Sequence, residues 1–175
     1  MSSINRITVF GAPGAGKTYL TKKLQDIFNL PVCHLDSIHL LPNWEIRDKS
    51  ERDKIILEKT AKEKWILDGT YLDTLDERIK RADLNIFLDF KTKDLLKGVI
   101  ERTLKNNGKE REDIPGCIEK FDLNFLVFVA KYNHERRSKI YQIVEKNRDK
   151  NIVILNSRDS VDKYISLLKM EENNY

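Results

Sequence analysis

Residues Gly11-Ala12-Pro13-Gly14-Ala15-Gly16-Lys17-Thr18 (GAPGAGKT) fit the pattern G-x-x-x-x-G-K-[ST]. Several consecutive backbone N–H groups must turn inward around an anion there, and side chains at Gly11, Gly14 and Gly16 would obstruct them. Lys17 brings a positive charge to the β and γ phosphates of a nucleotide. Thr18 can offer a hydroxyl to Mg²⁺, and a helix opening at this point aims its positive dipole end at the anion. The flanks supply the context that the motif needs. Residues 6–10 (RITVF) are a short apolar, β-branched run that reads as a buried strand, and Leu20, Leu24, Ile27 and Phe28 follow at helical spacing. Strand, glycine turn and helix make residues 11–19, Tyr19 included, the expected ATP contacts.

Working outward, short apolar runs alternate with helical ones. Residues 31–35 (PVCHL) predict a second strand ending at Asp36, followed by a loop over 38–44 that Pro42 breaks. Ser50 and Asp53 resemble a capping box that opens a helix carrying Ile55 and Ile56. Trp65, Ile66 and Leu67 predict a third strand ending at Asp68-Gly69. Leu75 and Ile79 mark a short helix. Residues 84–88 predict a fourth strand ending at Asp89, and the helix that follows, with Leu95, Val99 and Leu104, stops near Gly108. A polar stretch over 108–116 leads to a long helix over about 122–147. Residues 152–155 are the fifth strand, and Val161, Tyr164, Ile165 and Leu168 mark the last helix. Such alternation implies an α/β fold with a mostly parallel sheet covered on both faces.

In an open parallel sheet, ligands bind at the carboxyl ends of the strands. The glycine loop follows the first strand, while Asp36, Asp68 and Asp89 follow the next three. Three acids on one rim suggest a Mg²⁺ nucleotide site, although an aspartate after a strand also caps turns. Spacing alone does not choose between Asp68 and Asp89. Arg136 lies on the inward stripe of the long helix, four residues after Tyr132 and four before Ile140. Arg102 stands three residues after Val99, near the inner face of its own helix. An inward guanidinium needs an anion, which a phosphate or an acid of the chain itself can supply. Arg137, one residue further round, could share the role.

A chain of 175 residues that is 40% apolar has enough for one ordinary domain. No run approaches a membrane span, residues 1–5 lack the apolar stretch of a signal peptide, and a cytoplasmic protein is expected. Cys33 and Cys117 are isolated thiols, which argues against a zinc site or a disulfide framework. His34, His39 and His134 are too scattered to assign. A formal charge of +4 suits anionic ligands such as nucleotides but is spread too evenly to argue for nucleic-acid binding. Asp68-Gly69-Thr70-Tyr71 is not DxxG and Asn147-Arg148-Asp149-Lys150 is not NKxD, which disfavours a GTPase switch.

GAPGAGKT, then HLD (His34 to Asp36), LDGTY (Leu67 to Tyr71), the arginine-bearing helix and the polar insert together resemble the adenylate-kinase-related P-loop kinases. More narrowly, they resemble the DNA topology modulation (FlaR-type) kinase family. The resemblance implies a nucleoside monophosphate kinase-like P-loop NTPase fold, a five-stranded parallel sheet in the order 2-3-1-4-5. It also implies a single kinase domain over 1–175, with an acceptor region at about 37–64 and a lid at about 108–121. ATP and Mg²⁺ would be the cofactors, with Asp68 as the acid that holds the metal through water. Asp36 would face the acceptor as base, metal contact or acceptor contact. Arg102 and Arg136 would flank the transferred group, Arg111 and Lys109 would reach the phosphates from the lid, and the turn from Asn156 to Arg158 would meet adenine. Trp44, Arg47, Gly69, Tyr71 and Arg137 are expected acceptor contacts. The implied activity is transfer of the γ-phosphoryl group of ATP to a small molecule or nucleotide, by a monomer or homodimer without membrane contact. The family label also admits DNA as a partner, through an ATPase or regulatory role. The sequence departs from typical adenylate kinases in lacking proline and arginine after LDG. The lid mixes Glu110, Glu112 and Asp113 with Lys105, Lys109 and Arg111, so its charge nearly cancels.

Overall fold

The computed structural model describes residues 4–172; the opening residues, read above for a leader, lie partly outside that range. Its main sheet is built from β1 (Arg6–Gly11), β2 (Val32–His34), β5 (Trp65–Asp68), β6 (Leu84–Leu88) and β9 (Ile152–Leu155), in the order β2-β5-β1-β6-β9. Counted among themselves in chain order, these are strands 2-3-1-4-5. Every pairing is parallel. The apolar runs form strands because both faces of the sheet are covered, so successive residues of β5 and β6 are all buried.

The helices are α1 (Lys17–Phe28), the short α2 (Asp36–His39), α3 (Lys49–Thr60), α4 (Leu72–Arg81), α5 (Thr92–Asn106), α6 (Leu123–Lys146) and α7 (Arg158–Glu172). Helix α1 packs on α7, and α6 packs on α4 and α5. The main core runs from Ile7, Val9 and Phe10 through Leu20, Leu24, Ile86 and Phe87 to Val129 and Ile140. A smaller core of Leu35, Ile38, Ile56, Trp65 and Leu67 sits under α2 and α3. No helix among the described residues is long and apolar enough to cross a membrane.

Two expectations about the region after β2 need correction. The stretch read as a loop over 38–44 holds the end of α2 and the first strand and turn of an antiparallel hairpin. In that hairpin β3 (Leu40–Leu41) pairs with β4 (Glu45–Ile46) across a single turn, Pro42–Trp44. The residue that caps α3 is Asp48, whose carboxylate accepts from the N–H groups of Ser50 at 2.8 Å and Glu51 at 3.1 Å. Ser50 lies inside the helix because Asp48, two residues earlier, already satisfies the free donors of the first turn. The polar insert forms a second hairpin, β7 (Glu110–Arg111) with β8 (Ile114–Ile118).

Register sets the position of the site. Asp68 lies opposite Val9 on one side and His34 on the other, and Leu88 lies opposite Gly11. All these strand ends open on one rim. The chain leaves β1 first toward β5 and β2 and later toward β6 and β9, so the crevice forms beside β1.

Candidate active site

The turn between β1 and α1 owes its shape to backbone packing that only glycine allows. A Cβ on Gly14 would stand 2.2 Å from the carbonyl oxygen of Leu95, and one on Gly98 of α5 would stand 2.2 Å from that of Gly14. The two glycines let loop and helix backbones touch. Gly16, by contrast, has φ of 88° and open space where its side chain would be. Helix α1 begins there without a side-chain cap and without an acid in its first turn. Its first N–H groups are therefore free to meet an external anion.

Lys17 arches back over this turn, and its ammonium donates to the carbonyls of Gly11 at 3.1 Å and Ala12 at 3.2 Å. Burial lowers its pKa, Asp36 and Asp68 oppose that, and the charges of Arg102 and Arg111 add to it. Among the described residues no carboxylate is bonded to it. An ammonium held only by carbonyls in a poorly solvated place is stabilised by an incoming anion. Within the loop Ala12 and Ala15 are buried and Pro13 is partly covered, and Tyr19 is exposed with its hydroxyl donating to Asp162 at 3.0 Å.

The acids separate into different surroundings. Asp68 is only 5% exposed and lies beneath α1. Thr21 Oγ1 donates to it at 3.4 Å, and His34 Nδ1 sits 2.9 Å from the same oxygen. Burial alone would lower the His34 pKa, but the hydrogen bond and charge of Asp68, with Asp113 and Asp36, raise it. Asp36 accepts from the Tyr71 hydroxyl at 2.7 Å, while burial and then the Asp36 charge push the Tyr71 pKa up. Asp89 is held by Arg137 Nε at 2.8 Å and Nη2 at 2.7 Å and by the Tyr141 hydroxyl at 2.7 Å. Among the described residues no cluster of three or more His, Cys, Asp or Glu forms a ready metal cage. Asp68, bonded to Thr21 and paired with His34, is a single buried carboxylate of the kind that suits Mg²⁺, which keeps waters and shares substrate phosphates.

The β7–β8 hairpin lies over both halves of this rim. Asp113 accepts from Thr18 Oγ1 at 3.2 Å and is gripped by Arg111 at 3.0 and 2.7 Å, and Glu112 pairs with Lys22 of α1. On the other side Trp44 Nε1 donates to the Ile118 carbonyl at 3.1 Å, and Cys117 Sγ to that of Leu41 at 3.3 Å. Buried Glu119 gathers Arg102 at 3.1 Å and Arg111 at 3.8 Å. Lys109 and Glu110 lie exposed on the same hairpin.

The structure thus brings Lys17, Thr18, Asp36, Asp68, Arg102 and Arg111 into one charged cluster. Arg136 is partly buried against the rings of Phe128 and Tyr132, at 5.4 and 5.8 Å. Three expected contacts are engaged elsewhere. Arg137 faces Asp89, because one step along α6 turns it by about 100° from Arg136. Arg158 pairs with Glu101 at 2.8 Å. Arg47 donates to the Ile38 carbonyl at 2.7 Å and pairs with Glu51, which ties the β3–β4 hairpin to α3.

Four residues near the site escaped the sequence reading. His34 looks scattered from the other histidines in sequence, although HLD places it two residues from Asp36. Arg52, 8% exposed, grips Asp53 and lies 4.8 Å from the Tyr71 ring. Asp113 counts in the sequence only toward the mixed charge of the lid, yet it meets Thr18 and Arg111. Arg78 is fully buried, and the available signal was its place on the Leu75–Ile79 face of α4.

No family model and no curated protein matches the sequence. Solved structures do match the fold. Shikimate kinase from Acinetobacter baumannii in complex with shikimate superposes with a TM-score of 0.64 at 14% identity, over 98% of this chain and 95% of that one. Shikimate kinase from Bacteroides thetaiotaomicron gives 0.58 at 17% identity, over 97% and 99%. A gluconokinase from Sinorhizobium meliloti 1021 gives 0.57 at 15% identity, over 99% and 97%. At these identities the likeness establishes the fold, a P-loop α/β sheet with helices around it.

Proposed function

We propose that the chain is an ATP-dependent phosphotransferase that moves the γ-phosphoryl group of ATP in line to a small acceptor. One observation carries the reading. A lysine ammonium with a lowered pKa and, among the described residues, no bonded carboxylate arches over a glycine-lined turn at an uncapped helix start. A triphosphate would satisfy both the ammonium and the free amides at once. Such transfer needs positioning and charge neutralisation more than covalent chemistry.

Under this reading a Mg²⁺ ion bound with the nucleotide would supply charge neutralisation at the phosphates. Thr18, whose hydroxyl would leave Asp113, and Asp68 would hold it, Asp68 through water, while Asp89 already serves Arg137 and Tyr141. Asp36, steadied by Tyr71, orients or deprotonates an acceptor hydroxyl. An acceptor phosphate would need no base, and Asp36 would then contact the acceptor's sugar or base. Arg102 and Arg136 flank the transferred group, and Arg111 reaches it by exchanging Asp113 for phosphate. The whole chain acts as one kinase domain, with its acceptor region at about 37–64 and its lid at about 108–121. The narrower likeness to FlaR-type topology modulation kinases belongs to the same proposal and rests on HLD and LDGTY, as does a cytoplasmic setting where ATP and Mg²⁺ abound.

The test is an ADP-release screen with Mg²⁺ across nucleosides, nucleoside monophosphates and small hydroxylated metabolites. Shikimate, held by one structural neighbour, heads the last group. One class should raise ADP release far above the rate with water. Firm ATP binding with no release for any class contradicts the proposal.

A further inference from the structure

Arg78 of α4 is fully buried, yet its guanidinium forms no ion pair among the described residues. Its two terminal nitrogens bond three successive carbonyls, while Nε has no partner among the described residues: Nη1 donates to Gly69 at 2.9 Å, and Nη2 to Thr70 at 2.9 Å and Tyr71 at 3.4 Å. Burial lowers its pKa to about 9, opposed chiefly by the charge of Asp68, so it remains charged at neutral pH. Burying a charge on carbonyls alone is costly, and an apolar side chain of similar volume would pack more cheaply. The arrangement needs a use beyond packing.

The turn that it holds touches both sides of the crevice. Thr70 Oγ1 donates to the Gly11 carbonyl at 2.8 Å and accepts from the Gly11 N–H at 3.1 Å. That carbonyl is one of the two on which the Lys17 ammonium rests. The next residue, Tyr71, donates its hydroxyl to Asp36 at 2.7 Å. The phosphate loop and the acid after β2 are therefore tied to adjacent residues of one turn, and Arg78 fixes the backbone of both.

We propose that Arg78 is a positioning residue that sets the spacing between the phosphate loop and Asp36, acting through Thr70 on one side and Tyr71 on the other. Its catalytic consequence rests on the phosphotransferase reading, whereas its structural consequence does not. Misplacing reacting groups by about 1 Å costs on the order of a hundredfold in rate. Arg78→Lys keeps the charge but cannot span three carbonyls, so with an acceptor from the screen kcat should fall about that much while the Kd for ATP holds.

The seven glycines make the structural arm readable by amide NMR of the full chain labelled at glycine. In Arg78→Lys the Gly11 and Gly69 signals should move while those of Gly108, just before β7, and Gly116, in β8, stay. Thr70→Val leaves the buried charge in place and should move Gly11 by itself, and combining it with Arg78→Lys should shift Gly11 little further. An unmoved Gly11 in either single variant overturns the proposal, as do changes spread evenly over all seven glycines. If wild type binds no Mg·ADP at the loop, the phosphotransferase reading fails while the NMR arm still decides the role of Arg78.

Discussion

Strands β5 and β6 flank β1 on its two sides, each leads into an aspartate, and the two acids keep different company. Asp68 lies beneath the start of α1, beside His34 and Thr21, within the field of Lys17. Asp89 faces α6, where Arg137 and Tyr141 occupy both of its oxygens. The first acid meets a helix whose opening turn is bare, the second a helix that brings its own cation. An acid at a strand end is thus assigned by the helix across from it, and the strand says little.

Substitutions should separate the two sides. The largest effect is expected from Lys17→Ala, which should lower phosphoryl transfer about a thousandfold with an unchanged thermal midpoint; near wild-type turnover would break the contrast at its stronger end. Asp68→Asn should weaken productive metal binding by about ten- to a hundredfold, as loss of a water-mediated partner does. Turnover measured across a Mg²⁺ titration checks this. Asp113→Asn should free the β7–β8 hairpin from Thr18 and Arg111, a loss of about 2 kcal/mol for charge-assisted hydrogen bonds. Faster proteolysis within residues 108–121, without nucleotide, is the readout.

Asp89→Asn should leave turnover unchanged and cost about 1 kcal/mol, since Arg137 is half exposed. Its pH dependence sharpens the point. Burial alone would raise the Asp89 pKa, but Arg137 and Tyr141 hold it below the usual carboxylate range. A carboxyl lowered in the folded state contributes stability above its unfolded pKa, near 4, and that contribution is lost as pH falls through the folded value. Urea unfolding should therefore show a gap between Asp89→Asn and wild type at pH 7 that closes well below about pH 4.

Much of this was legible in the sequence, for identifiable reasons. Buried parallel strands are continuous apolar runs, so all five stood out, and GAPGAGKT between RITVF and an amphipathic helix fixed the first strand, turn and helix. The order of the strands followed only through family resemblance. Helix α2 and the β3–β4 hairpin were missed because elements of two to four residues carry no period to read. Ser50 and Asp53 imitated a capping box, while Asp48 made the bonds. His34 finds Asp68 thirty-four residues away, which no local spacing announces. Arg136 and Arg137 differ by one position, and periodicity could not say which would meet rings and which an acid. Arg78 was overlooked because arginine is so seldom fully buried that an apolar stripe is read past it.

Crystals of the protein with Mg²⁺ and a nonhydrolysable ATP analogue test the central claim most directly. The account predicts β and γ phosphates on the amides between Gly14 and Thr18, with the Lys17 ammonium moved from the Gly11 and Ala12 carbonyls onto phosphate oxygen. A nucleotide bound elsewhere, with Lys17 still resting on those two carbonyls, would contradict it.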